Sequence, residues 1–197
     1  MLATKQLHRL HVGPITLQVD GGSCVSIVGR SGSGKSVLLR MIADLDPHEG
    51  DVLLDGEACS GMPAPQWRRR VSYVAAASGW WNDKVGPHFR DAAALRELLP
   101  RVGLAPDVGE WEVARLSTGE RQRLALLRAM TPENRVLLLD EPTSGLDAES
   151  TWLVEELLRE RLAQGTTLLL VTHDPQQAVR LAHRRYRLAD GQLQESS

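Results

Sequence analysis

Two cysteines in 197 residues are too few for a disulfide framework. Cys24 lies in an apolar run and Cys59 beside a turn, so both are expected as free thiols, in keeping with a cytoplasmic compartment. No apolar stretch approaches the roughly 18–20 residues of a membrane-spanning helix, and the first residues lack the charged-then-apolar pattern of a signal segment. Any membrane role is therefore expected to run through a partner. The formal net charge is −2, and the only basic clusters are short, at Arg68–Arg70 and Arg184–Arg185, which gives no reason to expect nucleic acid as a partner. Internal repeats and low-complexity segments are lacking as well. The 42% hydrophobic and 24% charged fractions fit a single globular domain, residues 1–197, able to bury a sizeable core.

What the sequence does have is Gly29-Arg30-Ser31-Gly32-Ser33-Gly34-Lys35-Ser36, set between the apolar run Cys24–Val28 and the apolar residues Val37–Ala43. This is the pattern of a phosphate-binding loop where a strand turns into a helix. Its glycines let successive amide hydrogens point at one anion, and the helix N-terminus adds partial positive charge at the same place. Lys35 is expected to reach the β- and γ-phosphates of a nucleoside triphosphate, and Ser36 to place its hydroxyl on Mg²⁺. Gly29 to Val37 is thus the expected cofactor-binding stretch.

Around this loop, strands alternate with helices. Ile15, Leu17 and Val19 alternate with polar residues as in a half-buried strand, and Asp51–Leu54 reads as a strand ending in an Asp-Gly turn. Val71–Val74, Val136–Leu139 and Thr166–Thr172 read as further strands, the last two continuous apolar runs of the buried parallel kind. One helix is expected from His88 to Gly103, a second from Ser117 with a capping box to Glu120, and a third from Asp147 to Gly165. Pro175 opens a short helix, and a hairpin turns around Ala189-Asp190-Gly191. The fold class is α/β: a parallel-sheet core of the phosphate-loop NTPase kind, with a small antiparallel β subdomain and a short helical subdomain at about residues 75–130.

Leu139-Asp140-Glu141 sets two carboxylates at the C-terminal end of a buried strand, where ligands of open parallel sheets bind. Asp140 is expected to hold the metal and Glu141 to orient or deprotonate the attacking water. His173 follows the strand Leu168–Thr172 in the same topological position, where an imidazole can hydrogen-bond the γ-phosphate or the water.

Together with Leu116-Ser117-Thr118-Gly119-Glu120 and Ser144-Gly145-Leu146-Asp147, these residues resemble the ATP-binding-cassette (ABC) ATPases, in the same order and over essentially the whole chain. The resemblance implies ATP and Mg²⁺ as cofactors, with Glu141 and His173 catalytic. It implies two copies paired head-to-tail, each ATP lying between one copy's phosphate loop and Ser117 and Gly119 of the other. It further implies a separate transmembrane permease subunit, which would hold the chain at the inner face of the cell membrane. The compact helical region and the tail look most like the small ATPases of the FetA type, associated with metal export.

The match has gaps. Ala76 stands where similar proteins have a glutamine that touches metal and water, and an alanine methyl does neither. No aromatic residue for stacking on adenine is evident; His8 and His11 are the nearest rings. Trp80 and Trp81, in a loop of small and polar residues, are a candidate docking surface. The alternative to a transporter subunit is a non-transport cassette protein, an ATP-dependent regulatory or interaction module with slow turnover, for which Ala76 is the main support.

Overall fold

The computed structural model describes residues 1–196, and its strands form two sheets. The smaller is antiparallel, in the order β2-β1-β4-β5, from strands β1 (Leu2–Arg9), β2 (Val12–Val19), β4 (Glu49–Leu54) and β5 (Glu57–Ala58). Leu2, Leu7, Val12, Ile15, Leu17 and Val19 are buried, so the alternation seen in the sequence turns one face of this sheet inward.

The larger sheet runs β10-β9-β3-β8-β7-β6, from β3 (Cys24–Val28), β6 (Val71–Val74), β7 (Val136–Asp140), β8 (Thr167–Val171), β9 (Arg184–Ala189) and β10 (Gln192–Ser196). Its pairs are parallel except for the terminal hairpin β9–β10. Every residue of β7 and β8 is buried, which is why both are runs of leucine and valine without alternation: helices cover the sheet on either side. The order places β3, β8 and β7 side by side. The three segments leaving their C-terminal ends therefore lie next to one another.

Helix α1 (Lys35–Ile42) follows β3, and α2 (Ala64–Arg70) precedes β6. The indole of Trp67 is fully buried and donates to the Ile42 carbonyl at 3.0 Å, tying α2 to the end of α1. Between β6 and β7 the expected single helix from His88 is divided. A 3₁₀ turn spans Gly86–His88, α3 runs over Ala92–Leu98, and a second 3₁₀ turn covers Leu99–Val102. Asp91 starts α3 by accepting the N–H groups of Ala93 and Ala94, and Pro100, which has no N–H to donate, lies where the chain tightens; Gly103, at φ +66°, ends the segment. His88 belongs instead to the loop before it. Its buried ring accepts the N–H groups of Trp81 and Asn82.

The two tryptophans of this loop part company. Trp80 packs half-buried against an apolar cluster that includes Val85, Leu95 and Leu127, while Trp81 is 71% exposed, with the Arg128 guanidinium about 5 Å from both rings. Arg128 belongs to α4 (Thr118–Ala129), which begins at the expected Ser117 capping box. Helices α5 (Ala148–Ala163) and α6 (Pro175–Leu181) complete the fold, capped by the carboxylates of Asp147 and Asp174.

Candidate functional site

The phosphate loop leaves β3 and re-enters regular structure at Lys35, the first residue of α1. Gly34 sits at φ +98°, and a Cβ there would lie 2.2 Å from Val12 Cγ2, so the loop packs against the β1–β2 hairpin in a way that only glycine permits. His11, in that hairpin, comes up beside Gly34; His8 does not reach the loop and lies 3.8 Å from Glu49 instead. Lys35 is 7% exposed, and its ammonium donates to the carbonyls of Gly29 at 2.8 Å and Arg30 at 3.1 Å. Both acceptors belong to the loop, so the charge is held where a phosphate would lie.

A cleft of about 310 Å³ brings Lys35, Ser36 and Val37 together with Asp140, Glu141 and His173; His11 and Ala76 also line it. A larger cleft, of about 1130 Å³, lies around Gly29, Arg30 and Ser33 and shares His11, Ser31, Gly32 and His173 with the first, so the phosphate loop has open space on two sides. Ser117 and Gly119 line neither cleft. They start α4 elsewhere: the Ser117 hydroxyl donates to Glu120 Oε2 at 2.9 Å and accepts the Glu120 N–H at 3.2 Å, while Gly119 packs against Leu146.

Asp140 ends β7 at 5% exposure, and its Oδ2 accepts the hydroxyl of Tyr73 at 2.9 Å. Burial, with this bond to Asp140 second, raises the Tyr73 phenol above its ordinary range, so it stays a donor. Glu141 takes a left-handed backbone conformation, φ +54°, rare for a residue with a side chain. Its backbone is held from both sides. Its N–H donates to the Val171 carbonyl at 2.9 Å, and its carbonyl accepts the Ser144 N–H at 3.1 Å and also Nε2 of Gln122 at 3.2 Å, which links it to α4.

The Glu141 side chain turns back to His173. Oε2 accepts the His173 backbone N–H at 3.2 Å, and Oε1 stands 3.3 Å from His173 Nε2 while remaining a buried acceptor without a hydrogen bond among the described residues. Burial pushes the Glu141 carboxyl above its usual value, against the lowering influence of the His173 N–H and imidazole; neighbouring Asp140 adds to the rise and Lys35 opposes it. A carboxylate so placed is a better proton acceptor than an exposed one.

A buried network behind the site escaped the sequence reading. Glu155 of α5 is 2% exposed and accepts two 2.7 Å bonds from Arg180 of α6, and Gln177 of α6 donates to Glu155 and, at 2.8 Å, to Thr143. Thr143 lies two residues beyond Glu141, and Arg180 also reaches Asp174, next to His173. Helical spacing on α5 gave one sign of it, since Glu155 falls between the buried Val154 and Leu158.

Comparison with known proteins agrees with this arrangement. The family model described as ABC transporter matches residues 12–144. The chain is 43% identical over 188 residues to an aliphatic sulfonates import ATP-binding protein of Pseudomonas aeruginosa, covering 91% of this chain and 66% of that protein. It is 40% identical over 193 residues to the corresponding protein of Albidiferax ferrireducens, covering 90% and 65%. The chain thus spans just under two thirds of the length of these relatives. Among solved structures, the dimeric post-hydrolysis ATP-binding cassette MJ0796 bound to ADP and Pi superposes with a TM-score of 0.83 at 26% identity, covering 100% of this chain and 98% of that one. The ATP-bound structure of a bacterial Atm1-family exporter gives 0.84 at 25% identity, covering 98% of this chain and 38% of the other. With a family model matched over most of its length and relatives at 40% identity and above, the chain belongs to the ABC transporter family.

Proposed function

We propose that this chain is the ATP-binding and ATP-hydrolysing subunit of a membrane transporter, driving a separate permease by ATP-dependent head-to-tail pairing of two copies. The observation that carries the reading is the single cleft in which the phosphate loop meets Asp140, Glu141 and His173. The amide groups of Gly29 to Gly34, with Lys35, cradle the phosphates of ATP. Ser36 and Asp140 offer the two oxygen donors that a magnesium ion takes from protein when phosphate oxygens supply others, and both line the cleft. Bound there, Mg²⁺ would neutralise charge developing on the phosphates.

Glu141 accepts the proton of a water aligned with the γ-phosphorus, and its unpartnered Oε1 is the acceptor available for that proton. His173 steadies the carboxylate by donating its backbone N–H to Oε2 at 3.2 Å, and its side chain lines the same cleft. Ser117 and Gly119 lie outside the cleft, so within one copy they have no phosphate to bind; a second copy is the natural source. The names of the relatives support an importer, with aliphatic sulfonates as the substrate class to test first, and the permease as what holds the chain at the inner face of the membrane. Among the described residues no helix is long and apolar enough to cross a membrane.

The test is phosphate release by the unmutated protein and by Glu141→Gln, with sedimentation of the variant in ATP and Mg²⁺. The expected result is turnover by the unmutated protein, a loss of about 10²–10⁴-fold in the variant, and an ATP-dependent dimer of the variant. Normal hydrolysis by Glu141→Gln would remove Glu141 from its role. ATP binding with neither turnover nor dimer, in the presence of the permease, would favour the non-transport alternative, for which the methyl group of Ala76 in the cleft is the supporting observation.

A further inference from the structure

Tyr73 and Asp140 meet across the parallel pair β6–β7. Tyr73 lies opposite Leu138 in the register, two residues short of Asp140, and its ring spans that offset so that the hydroxyl donates to Asp140 Oδ2 at 2.9 Å. The ring is partly buried against the apolar cluster that includes Leu39, Val71 and Leu138, which limits where the hydroxyl can go. The second carboxylate oxygen, Oδ1, makes no hydrogen bond among the described residues, and Asp140 lines the cleft beside Lys35 and Ser36. Three residues past Tyr73, Ala76 lines the same cleft with only a methyl group. The polar atom that β6 sends to this carboxylate is therefore the Tyr73 hydroxyl.

An aspartate carboxyl turns readily about its last bond, because that torsion has broad, shallow minima. A donor fixed to one oxygen removes this freedom and leaves the other oxygen as the one open to a cation. Losing the donor also leaves a buried acceptor unsatisfied, and the carboxyl gains by turning to find a new partner.

We propose that Tyr73 is a positioning residue for the cation of the bound nucleotide: its hydroxyl clamps Asp140 through Oδ2 and presents Oδ1 to the divalent ion. The inference rests on the nucleotide reading above. Tyr73 touches neither substrate nor cation and acts only through Asp140. With no polar side chain at position 76, the clamp carries more of the alignment than it would beside a second polar group.

The experiment is binding of a fluorescent ADP to the unmutated protein and to Tyr73→Phe, each in EDTA and across a manganese titration. Tyr73→Phe deletes one oxygen and keeps the ring that packs on the core. The expected result is equal ADP affinity in EDTA and a manganese midpoint raised about 10-fold in the variant, the usual scale when a group behind a metal ligand is removed. Equal manganese midpoints, with Tyr73→Phe melting at the temperature of the unmutated protein, overturn the role of Tyr73. A manganese titration without effect on the unmutated protein overturns the nucleotide–cation reading instead. Should Tyr73→Phe fail to fold, Tyr73→Met supplies comparable apolar bulk without a donor and is read on the same midpoints.

Discussion

At the scale of single residues, burial decides chemistry as much as residue type does. Cys24 and Cys59 are both free and buried, and burial pushes each thiol up to about 12; at Cys59 the carboxylates of Asp44 and Asp51 add to the rise. The reactive species is the thiolate, so raising the pKa lowers the reactive fraction at neutral or mildly alkaline pH. At about pH 8, where an exposed thiol near its reference pKa reacts readily, a disulfide reagent is expected to find essentially no thiol in the folded protein and both after unfolding in urea. Rapid native reaction of either cysteine would show that its strand or turn opens. The same dependence on partners separates the legible residues from the others. The phosphate loop, Asp140, Glu141 and His173 could be read because their identities and spacing are those that a single bound nucleotide would require, and they do line one cleft. Tyr73 and Gln122 could not, since what matters about them is a partner 67 or 19 residues away in sequence.

At the scale of elements, caps and ion pairs to the buried Glu155 set where helices begin and how they sit. The capping box at Ser117 and the Asp147 cap were readable because each is a local hydrogen-bond arrangement within four residues, and the first-turn Pro175 because its fixed φ and missing N–H suit that position. The division of the helix expected from His88 was not. Apolar spacing continued through Pro100, and only the cap at Asp91 and the burial of the His88 ring reveal the break. Nor was the tie between α5 and α6 readable, because Glu155 meets Arg180 only once the fold has formed. Replacing Arg180 by methionine keeps most of its bulk and removes the paired charge, leaving Glu155 buried with the single weaker contact to Arg159 at 3.3 Å and the Gln177 amide. The expected cost is about 2 kcal/mol in urea unfolding, below the range for a fully buried pair because the Arg180 side chain is itself 40% exposed and these partners of Glu155 remain. A cost below about 1 kcal/mol, the range of an exposed pair, would mean that Arg159 takes over the carboxylate.

At the scale of the whole molecule, the placement of Ser117 and Gly119 is the consequential fact. The parallel strands bring the phosphate loop, Asp140, Glu141 and His173 to one end of the sheet, while α4 carries Ser117 and Gly119 away from the cleft they are expected to complete. If a second copy completes it, each two-fold pair contains two sites, and each site takes its phosphate loop from one copy and its Ser117 from the other. Two defective variants can then repair one another. Lys35→Ala removes the charge from the loop and Ser117→Arg blocks the start of α4, so each variant alone pairs with itself into two defective sites. In a mixed pair, the intact loop of the Ser117→Arg copy faces the intact Ser117 of the Lys35→Ala copy. With random pairing half of all pairs are mixed and each holds one good site, so equal mixing is expected to recover about a quarter of the nucleotide trapped by the unmutated protein. A site made within one chain makes the opposite prediction, because the mixture would trap no more than its two inactive components measured separately. Filter-retained ATP after brief incubation reads the difference directly.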